Sequence, residues 1–143
     1  MIEPYVYPPM DLEEMDAWQN EHFARIACRD GIEEILSSGY DGAYLEPGCA
    51  RKAIEEFGIQ RVELVLAGTV QEHSRDGRFS RQTKEWASCR TISPEDRCRD
   101  YLLTAYPAVV DGFVRQYLKT VEEMAREAIA EEGQTQSFPE MML

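Results

Sequence analysis

The last third of the chain carries the pattern that most constrains its fold. Apolar residues recur there at spacings of 4, 3, 4, 3 and 4, at Val110, Val114, Tyr117, Val121, Met124 and Ala128. This spacing predicts a long helix that begins at Pro107 and ends near Gly133. A second apolar row widens the stripe, which is more typical of a core-facing bundle helix than of a coiled-coil seam. The alternative is a regulatory homodimer that pairs the 110–128 stripes of two copies.

Local signals predict another long helix near the N-terminus. Asp11 with Glu14 is typical of a capped helix start, and Ser37-Ser38-Gly39 is typical of its end, with Gly39 as a left-handed cap. Apolar residues at helical spacing predict the side that faces the core, formed by Met15, Trp18, Phe23, Ile26, Ala27, Ile32, Ile35 and Leu36. His22 lies on this side, where we expect a packed and hydrogen-bonded residue.

Shorter helices are predicted between these two. Their ranges are 47–57, 60–73, 80–88 and 93–106, with Gly58, Ser80 and Ser93 as boundary signals. Residues 62–66 alternate as in a strand, but the length of the 60–73 segment and the lack of a partner strand favour a helix. The sequence therefore predicts an all-α fold, a compact bundle of about five to six helices.

The domain organisation follows from length and composition. A chain of 143 residues suits a single domain. Residues 1–10 contain three prolines and two tyrosines, which predicts an extended arm. Residues 11–132 form the predicted helical domain, and residues 133–143 form a predicted flexible tail.

Charge is unevenly distributed along the chain. The net charge is −12, and residues 1–46 alone contain 11 acids and 2 bases. Residues 75–100 contain 7 bases and 5 acids. We therefore expect no direct binding of nucleic acid. A predicted acidic face on the first helix, suited to a basic partner protein, consists of Asp11, Glu13, Glu14, Asp16 and Glu21.

Several classes of protein and site are disfavoured. No apolar run approaches the ~20 residues of a membrane span, so we expect no membrane association. Residues 1–10 lack the basic and apolar regions of a secretory signal, which favours the cytoplasm. The four cysteines include no C-x-x-C pair, and the chain has two histidines. We expect reduced thiols, no metal site and no cofactor, with a Cys89–Cys98 pair as the less favoured alternative.

The densest polar segment spans residues 71–86. Its candidate site residues are His73, Arg75, Asp76, Arg78, Arg81, Lys84 and Trp86. One hypothesis is a small enzyme or ligand-binding domain in which His73 acts as a base, Asp76 orients it and the arginines bind an anion. The competing interpretation is a charged surface turn between two helices, with Trp86 in the core and the basic residues at its rim.

Several short motifs resemble those of a known family. They include Leu66-Ala67-Gly68-Thr69-Val70-Gln71, Asp76-Gly77-Arg78-Phe79-Ser80, Lys84-Glu85-Trp86-Ala87, Ala27-Cys28-Arg29-Asp30, Glu55-Glu56-Phe57-Gly58 and Tyr106-Pro107. Together they resemble a domain of unknown function carried on conjugative and integrative elements of gut Firmicutes, over most of residues 4–118. Members of that family often have Asn where Gly68 and Thr83 stand here.

This resemblance implies a mobile genetic element in a bacterial cytoplasm and names no catalytic residue. With the acidic charge, it predicts a non-catalytic protein-interaction module that binds a basic, nucleic-acid-handling host enzyme. Its sharper form is an inhibitor of a host defence nuclease, of anti-CRISPR or anti-restriction type.

Overall fold

The computed structural model describes the backbone of residues 11–141 and the side chains of residues 11–131. Its elements are all helical. The α-helices are α1 (Leu12–Gly39), α2 (Cys49–Phe57), α3 (Ile59–Glu72), α4 (Arg81–Ser88) and α5 (Pro107–Met141), with 3₁₀ turns at Pro94–Asp96 and Arg99–Tyr101. The predicted all-α class is confirmed, as is the helical interpretation of residues 60–73. The predicted N-terminal arm lies outside the described residues.

Helix boundaries agree with the sequence where a local cap sets them. The Asp11 side chain accepts a hydrogen bond from the Glu14 amide, and the Ser80 side chain accepts one from the Thr83 amide. Gly58 has φ +91° at the end of α2, and Pro107 begins α5. Each of these boundaries depends on one or two neighbouring residues, which a sequence pattern records directly.

Two predicted boundaries and one predicted cap conformation are wrong. α1 ends at Gly39 as predicted, but Gly39 is not left-handed, since the backbone leaves α1 through an extended Tyr40. α2 begins at Cys49 and not at Pro47, because Gly48 takes a left-handed conformation with φ +89°. α5 extends past Gly133 to Met141. A helix-interior glycine costs only about 1 kcal/mol relative to alanine, which is too little to end a helix by itself.

The predicted helix over 93–106 is also wrong. The structure has two short 3₁₀ turns separated by extended backbone. Side chains of other helices bind the backbone amides of this segment. The Leu103 amide donates to Thr69 Oγ1 (2.9 Å), and the Thr104 amide donates to the Glu33 carboxylate (3.0 Å). These tertiary hydrogen bonds replace the helical ones, so the segment follows the surface of α1 and α3.

The core lies where α1, α2, α3 and α5 meet. Fully buried side chains come from all of these helices and include Cys28, Ile32, Ala53, Val62, Leu66, Val110, Phe113 and Val114. The first half of the α5 stripe is therefore core, and Val110, Val114 and Tyr117 offer no surface to a second copy. All four cysteines are free thiols, and burial raises the pKa of Cys28 to about 12.

Two glycines of α1 allow close helix packing. A Cβ built on Gly31 would lie 2.1 Å from the Phe57 ring, and one built on Gly39 would lie 2.7 Å from Cys49 Sγ. Both neighbours belong to α2. The glycines thus allow α2 to pack closely against α1.

Candidate protein-interaction site

Four of the five acids of the predicted acidic face lie in the first turns of α1. All ten residues from 11 to 20 are exposed, and side-chain contacts with the body begin at residue 21. We call residues 11–23 the α1 tip. Within the described residues, Glu13, Glu14 and Asp16 form no side-chain ion pair. The Asp11 carboxylate caps the helix at 2.8 Å from the Glu14 amide. These four acids therefore give the tip a strong negative charge with open access.

Glu21 differs from the other four predicted acids. Its carboxylate accepts hydrogen bonds from Arg61 at 2.8 and 3.1 Å and from Arg25 at 3.1 Å. The hydrogen bond from Arg61 is the largest cause of its lowered pKa, with burial opposing it and the charges of both arginines adding to it. Glu21 thus joins α1 to α3 and lies at the base of the tip. The acidic face consists of Asp11, Glu13, Glu14 and Asp16.

The tip also exposes four large apolar side chains, three of which the sequence assigned to the core-facing side of the helix. Leu12 is 78% exposed, Trp18 56% and Phe23 63%, and Met15 is similarly open. The prediction that Met15, Trp18 and Phe23 face the core is wrong. A helix of 28 residues is about 42 Å long, and its buried positions begin only at Cys28. The apolar spacing of α1 continues into the turns that extend beyond the packed body, so periodicity alone could not show where burial begins.

An aromatic and ionic cluster fixes the base of the tip. His22 Nδ1 lies 2.7 Å from the Tyr101 hydroxyl, and its ring stacks on Trp18 at 5.1 Å between centroids. Arg25 lies over the Tyr101 ring and pairs with Asp96 at 2.9 Å. His22 is hydrogen-bonded, as the sequence predicts. The cluster ties α1 to the 93–101 segment and thereby sets the direction in which the tip projects.

The charged residues of the 71–86 segment are largely engaged with one another. Arg78 donates to both oxygens of Asp76, at 3.0 and 2.8 Å. This side-chain hydrogen bonding, together with the Arg78 amide, lowers the pKa of Asp76 to about 2. The His73 ring stacks on Phe79, and no hydrogen bond joins it to the Asp76 carboxylate in the described part of the chain. The structure does not assemble the proposed pair of base and orienting carboxylate.

The other candidate residues of this segment have mainly structural neighbours. Arg81 pairs with Glu85 along α4 at 3.0 Å. Trp86 packs against Tyr117 with 5.7 Å between ring centroids, and Arg90 lies over its ring. Lys84 is half-buried and Arg75 is exposed. Trp86 packs against the core with basic residues at its rim, in agreement with the second interpretation of this segment.

Sequence reasoning missed the residue that holds the segment in place. Asp111 of α5 is 5% exposed and accepts hydrogen bonds from the Ser80 amide (2.9 Å) and hydroxyl (3.0 Å). Arg115 pairs with its second oxygen at 3.1 Å. In the sequence, Asp111 is marked only by its position between Val110 and Phe113, both of which are buried. An acid at such a position needs buried donors, which points to a tertiary cap.

A groove of about 760 Å³ lies beside the base of the tip. Its walls come from α1, α3 and residues 89–92, with Arg61 and Arg90 as the most exposed basic groups. Arg61 is bound to Glu21, and Arg90 lies 3.8 Å from Glu63. The basic side chains of this groove are therefore paired with acidic ones, and the groove carries no strong net charge.

Across residues 11–131 no three His, Cys, Asp or Glu side chains come together as a metal site would require. None of the described helices combines the length and apolarity needed to cross a bilayer.

The sequence matches one protein family over most of its length. The family is described as "Protein of unknown function (DUF3849)", and the match covers residues 7–122. The chain belongs to this family. The family match begins before α1 and includes the whole tip, the 71–86 segment and Asp111. No curated protein and no solved structure shows a significant match to the chain. The DUF3849 match therefore sets the family without giving an activity.

Proposed function

We propose that this DUF3849 chain is a non-catalytic protein-interaction module that binds a basic partner protein through the acidic face of the α1 tip. The observation that carries the proposal is the exposure of all residues from 11 to 20 together with four acids and no base. Exposed charges on a helix end are screened by salt but can be reached by a partner without rearrangement of the body. Glu21 is excluded from this face because Arg61 and Arg25 bind it.

The chemistry of the face favours a partner that handles nucleic acid. Glu13, Glu14 and Asp16 present three carboxylates within a single turn of α1, and basic grooves that bind phosphate carry complementary charge. In its sharper form the proposal is an inhibitor of a host defence nuclease, of anti-CRISPR or anti-restriction type. It would act in a bacterial cytoplasm and be encoded on a mobile genetic element, the context that the sequence resemblance implies.

The experiment compares two charge-reversal variants of equal net charge. The test variant changes Glu13, Glu14 and Asp16 to Lys. The control changes Glu55, Glu123 and Glu131 to Lys, which are exposed acids away from the tip and outside any described ion pair. Wild type and both variants are used to capture proteins from a gut Firmicute lysate at low and high salt, with detection by mass spectrometry.

The proposal expects a basic protein that is captured by wild type and by the control, is lost with the test variant and is released by salt. Loss with both variants would indicate a general effect of net charge. Retention by the test variant would contradict a role for the acidic face. Binding that persists in high salt would argue against an electrostatic interface.

A further inference from the structure

The exposed apolar side chains of the α1 tip form one strip along the helix. Leu12, Met15, Trp18 and Phe23 fall within a sector of about 140° at about 100° per residue, and we call these four residues the apolar strip. Their side chains are 45–78% exposed. Gln19, which carries no charge, lies in the same sector. A contiguous exposed apolar surface of this kind marks a site of interaction.

Acidic residues lie along both edges of the apolar strip. Glu14 lies about 40° beyond Trp18 on one edge, and Asp16 lies about 20° beyond Phe23 on the other. Glu13 follows Asp16 farther round the helix, and residues 11–20 contain no base. An apolar strip between two acidic edges is complementary to an apolar groove between two basic edges.

We propose that the α1 tip docks as a helix into an apolar groove of its partner protein, whose Lys and Arg side chains along both edges of the groove pair with the acids of the tip. This inference rests on the proposed function and adds the surface that the partner must present. Amphipathic helices bind grooves in this way through anchors three, four and seven residues apart. Met15, Trp18 and Gln19 have such spacings.

The charge of the tip distinguishes this partner from two others that could cover an apolar strip. Two tips packed side by side would bring their acids together, and such contacts between like charges are unfavourable. Anionic lipid headgroups attract basic segments and would repel the acids on both edges. A protein groove with basic edges satisfies both the apolar and the charged residues of the tip.

Trp18 is the residue best prepared to act as the central anchor. Its ring lies nearly parallel to that of His22, with 5.1 Å between centroids and 5° between planes. His22 Nδ1 in turn lies 2.7 Å from the Tyr101 hydroxyl. The indole is therefore held in place although the side chain is 56% exposed. A side chain held in this way loses less conformational freedom on binding, and tryptophan is common among residues that dominate binding energy.

Site-specific photocrosslinking of the full chain in native host cells tests the orientation of the tip. Benzoylphenylalanine replaces Phe23 in the apolar strip or, as a control, Ala17, which is exposed and lies about 120° away from Phe23. The inference expects an adduct with one basic protein from position 23 and none with that protein from position 17.

The other adducts would overturn this inference. A basic protein crosslinked from position 17 and not from position 23 would support the proposed function but not the docking of the apolar strip. A second copy of the chain, a lipid or residues 1–10 of the same chain as the only adduct of position 23 would assign the strip to another occupant. Adducts from neither position would contradict both proposals.

Titration of the purified crosslinked protein with the chain then separates apolar from charged contacts. Trp18→Ala should raise Kd about tenfold or more at low and at high salt, because salt screens charges and does not weaken apolar burial. Tyr44→Ala is the matched control, since Tyr44 is 78% exposed and lies outside the tip. Its Kd should equal that of wild type.

A second variant leaves the ring stack at the base of the tip unchanged. Leu12→Gln with Met15→Gln removes two apolar side chains of the strip without changing its charge, and it should also raise Kd at both salt concentrations. Wild-type affinity in this variant and in Trp18→Ala would overturn the inference. If binding is then still lost on reversing the charges of Glu13, Glu14 and Asp16, the proposed function stands without it.

Discussion

The α1 tip and the 71–86 segment are both rich in charge and aromatic residues, yet they differ in how those groups are used. The carboxylates of Glu13, Glu14 and Asp16 have no ion-pair partner in the described structure, and Trp18 is exposed. In the 71–86 segment, Asp76 is bound by Arg78, and Trp86 packs on Tyr117. Composition marks both regions as candidate sites. Among the described residues, the three tip carboxylates are free of ion pairs, whereas Asp76, Arg78, Arg81 and Glu85 of the 71–86 segment pair with one another.

This difference shows that charge density and available charge are separate properties. An ion pair between neighbouring exposed side chains reduces the field that a partner experiences, whatever its small effect on stability. If the 71–86 segment is held by the body and the tip is independent of it, substitutions in the two regions differ in their effect on stability.

The largest contrast is between two phenylalanines. Phe79 in the 71–86 segment is 3% exposed, and Phe23 at the tip is 63% exposed. We expect Phe79→Ala to lower the free energy of unfolding by about 3–5 kcal/mol, because it leaves a cavity. Phe23→Ala should cost about 1 kcal/mol or less. Urea unfolding followed by circular dichroism measures both. Equal losses would show that the tip is part of the core.

The second prediction concerns Asp111 and pH. Burial favours its neutral form, but hydrogen bonds from Thr83 and Ser80 and the charge of Arg115 outweigh burial and lower its pKa. We expect Asp111→Asn to lower the free energy of unfolding by about 1–3 kcal/mol at neutral pH. Asp16→Asn, at the exposed tip, is the control and should change it by about 0.5 kcal/mol or less.

The pH dependence of this difference has a defined sign. The carboxyl pKa of Asp111 is lower in the folded chain than its unfolded value of about 3.9. Its contribution is therefore present above about pH 4 and is lost as the pH falls through the folded pKa. Wild type and Asp111→Asn should approach each other in acid. A difference that grows on acidification would contradict the assigned hydrogen bonds.

The smallest effect separates Glu21 from its neighbours at the tip. The Glu21–Arg61 pair is partly exposed, so a double-mutant cycle with Glu21→Gln and Arg61→Gln should give a coupling of about 0.5–1 kcal/mol. The matched cycle of Glu13→Gln with Arg61→Gln should give a coupling near zero. Thermal or urea unfolding of the single and double variants provides both values. Equal couplings would place Glu13 in the same network as Glu21.

Local sequence signals predicted much of the fold. Asp11, Gly58, Ser80 and Pro107 act on their own or adjacent turns, so the helix boundaries that they set agree with the structure. Helical periodicity also identified the α5 stripe as core through Tyr117. These features need no knowledge of distant residues.

The predictions that failed concern features set by contacts between residues that are distant in sequence. Residues 93–106 carry a good helix start, yet Thr69 and Glu33 bind their backbone amides from other helices. Gly39 resembles a helix cap, but its role is to admit Cys49. Met15 and Trp18 continue the apolar spacing of α1 beyond the body. The acids at residues 11–16 were identified from sequence, whereas the engagement of Glu21 by Arg61 required the structure.

The central claim is that the acidic face of the α1 tip contacts a partner, and site-specific photocrosslinking tests it most directly. A crosslinking amino acid replaces Asn20, which lies four residues after Asp16 and seven after Glu13 on the same helical face, or Gln82 of α4 as a control that is also exposed. Both proteins are irradiated in native host cells. The account predicts an adduct with a basic protein from position 20 and none with that protein from position 82. Adducts from position 82 alone, or no adduct from either position, would contradict it.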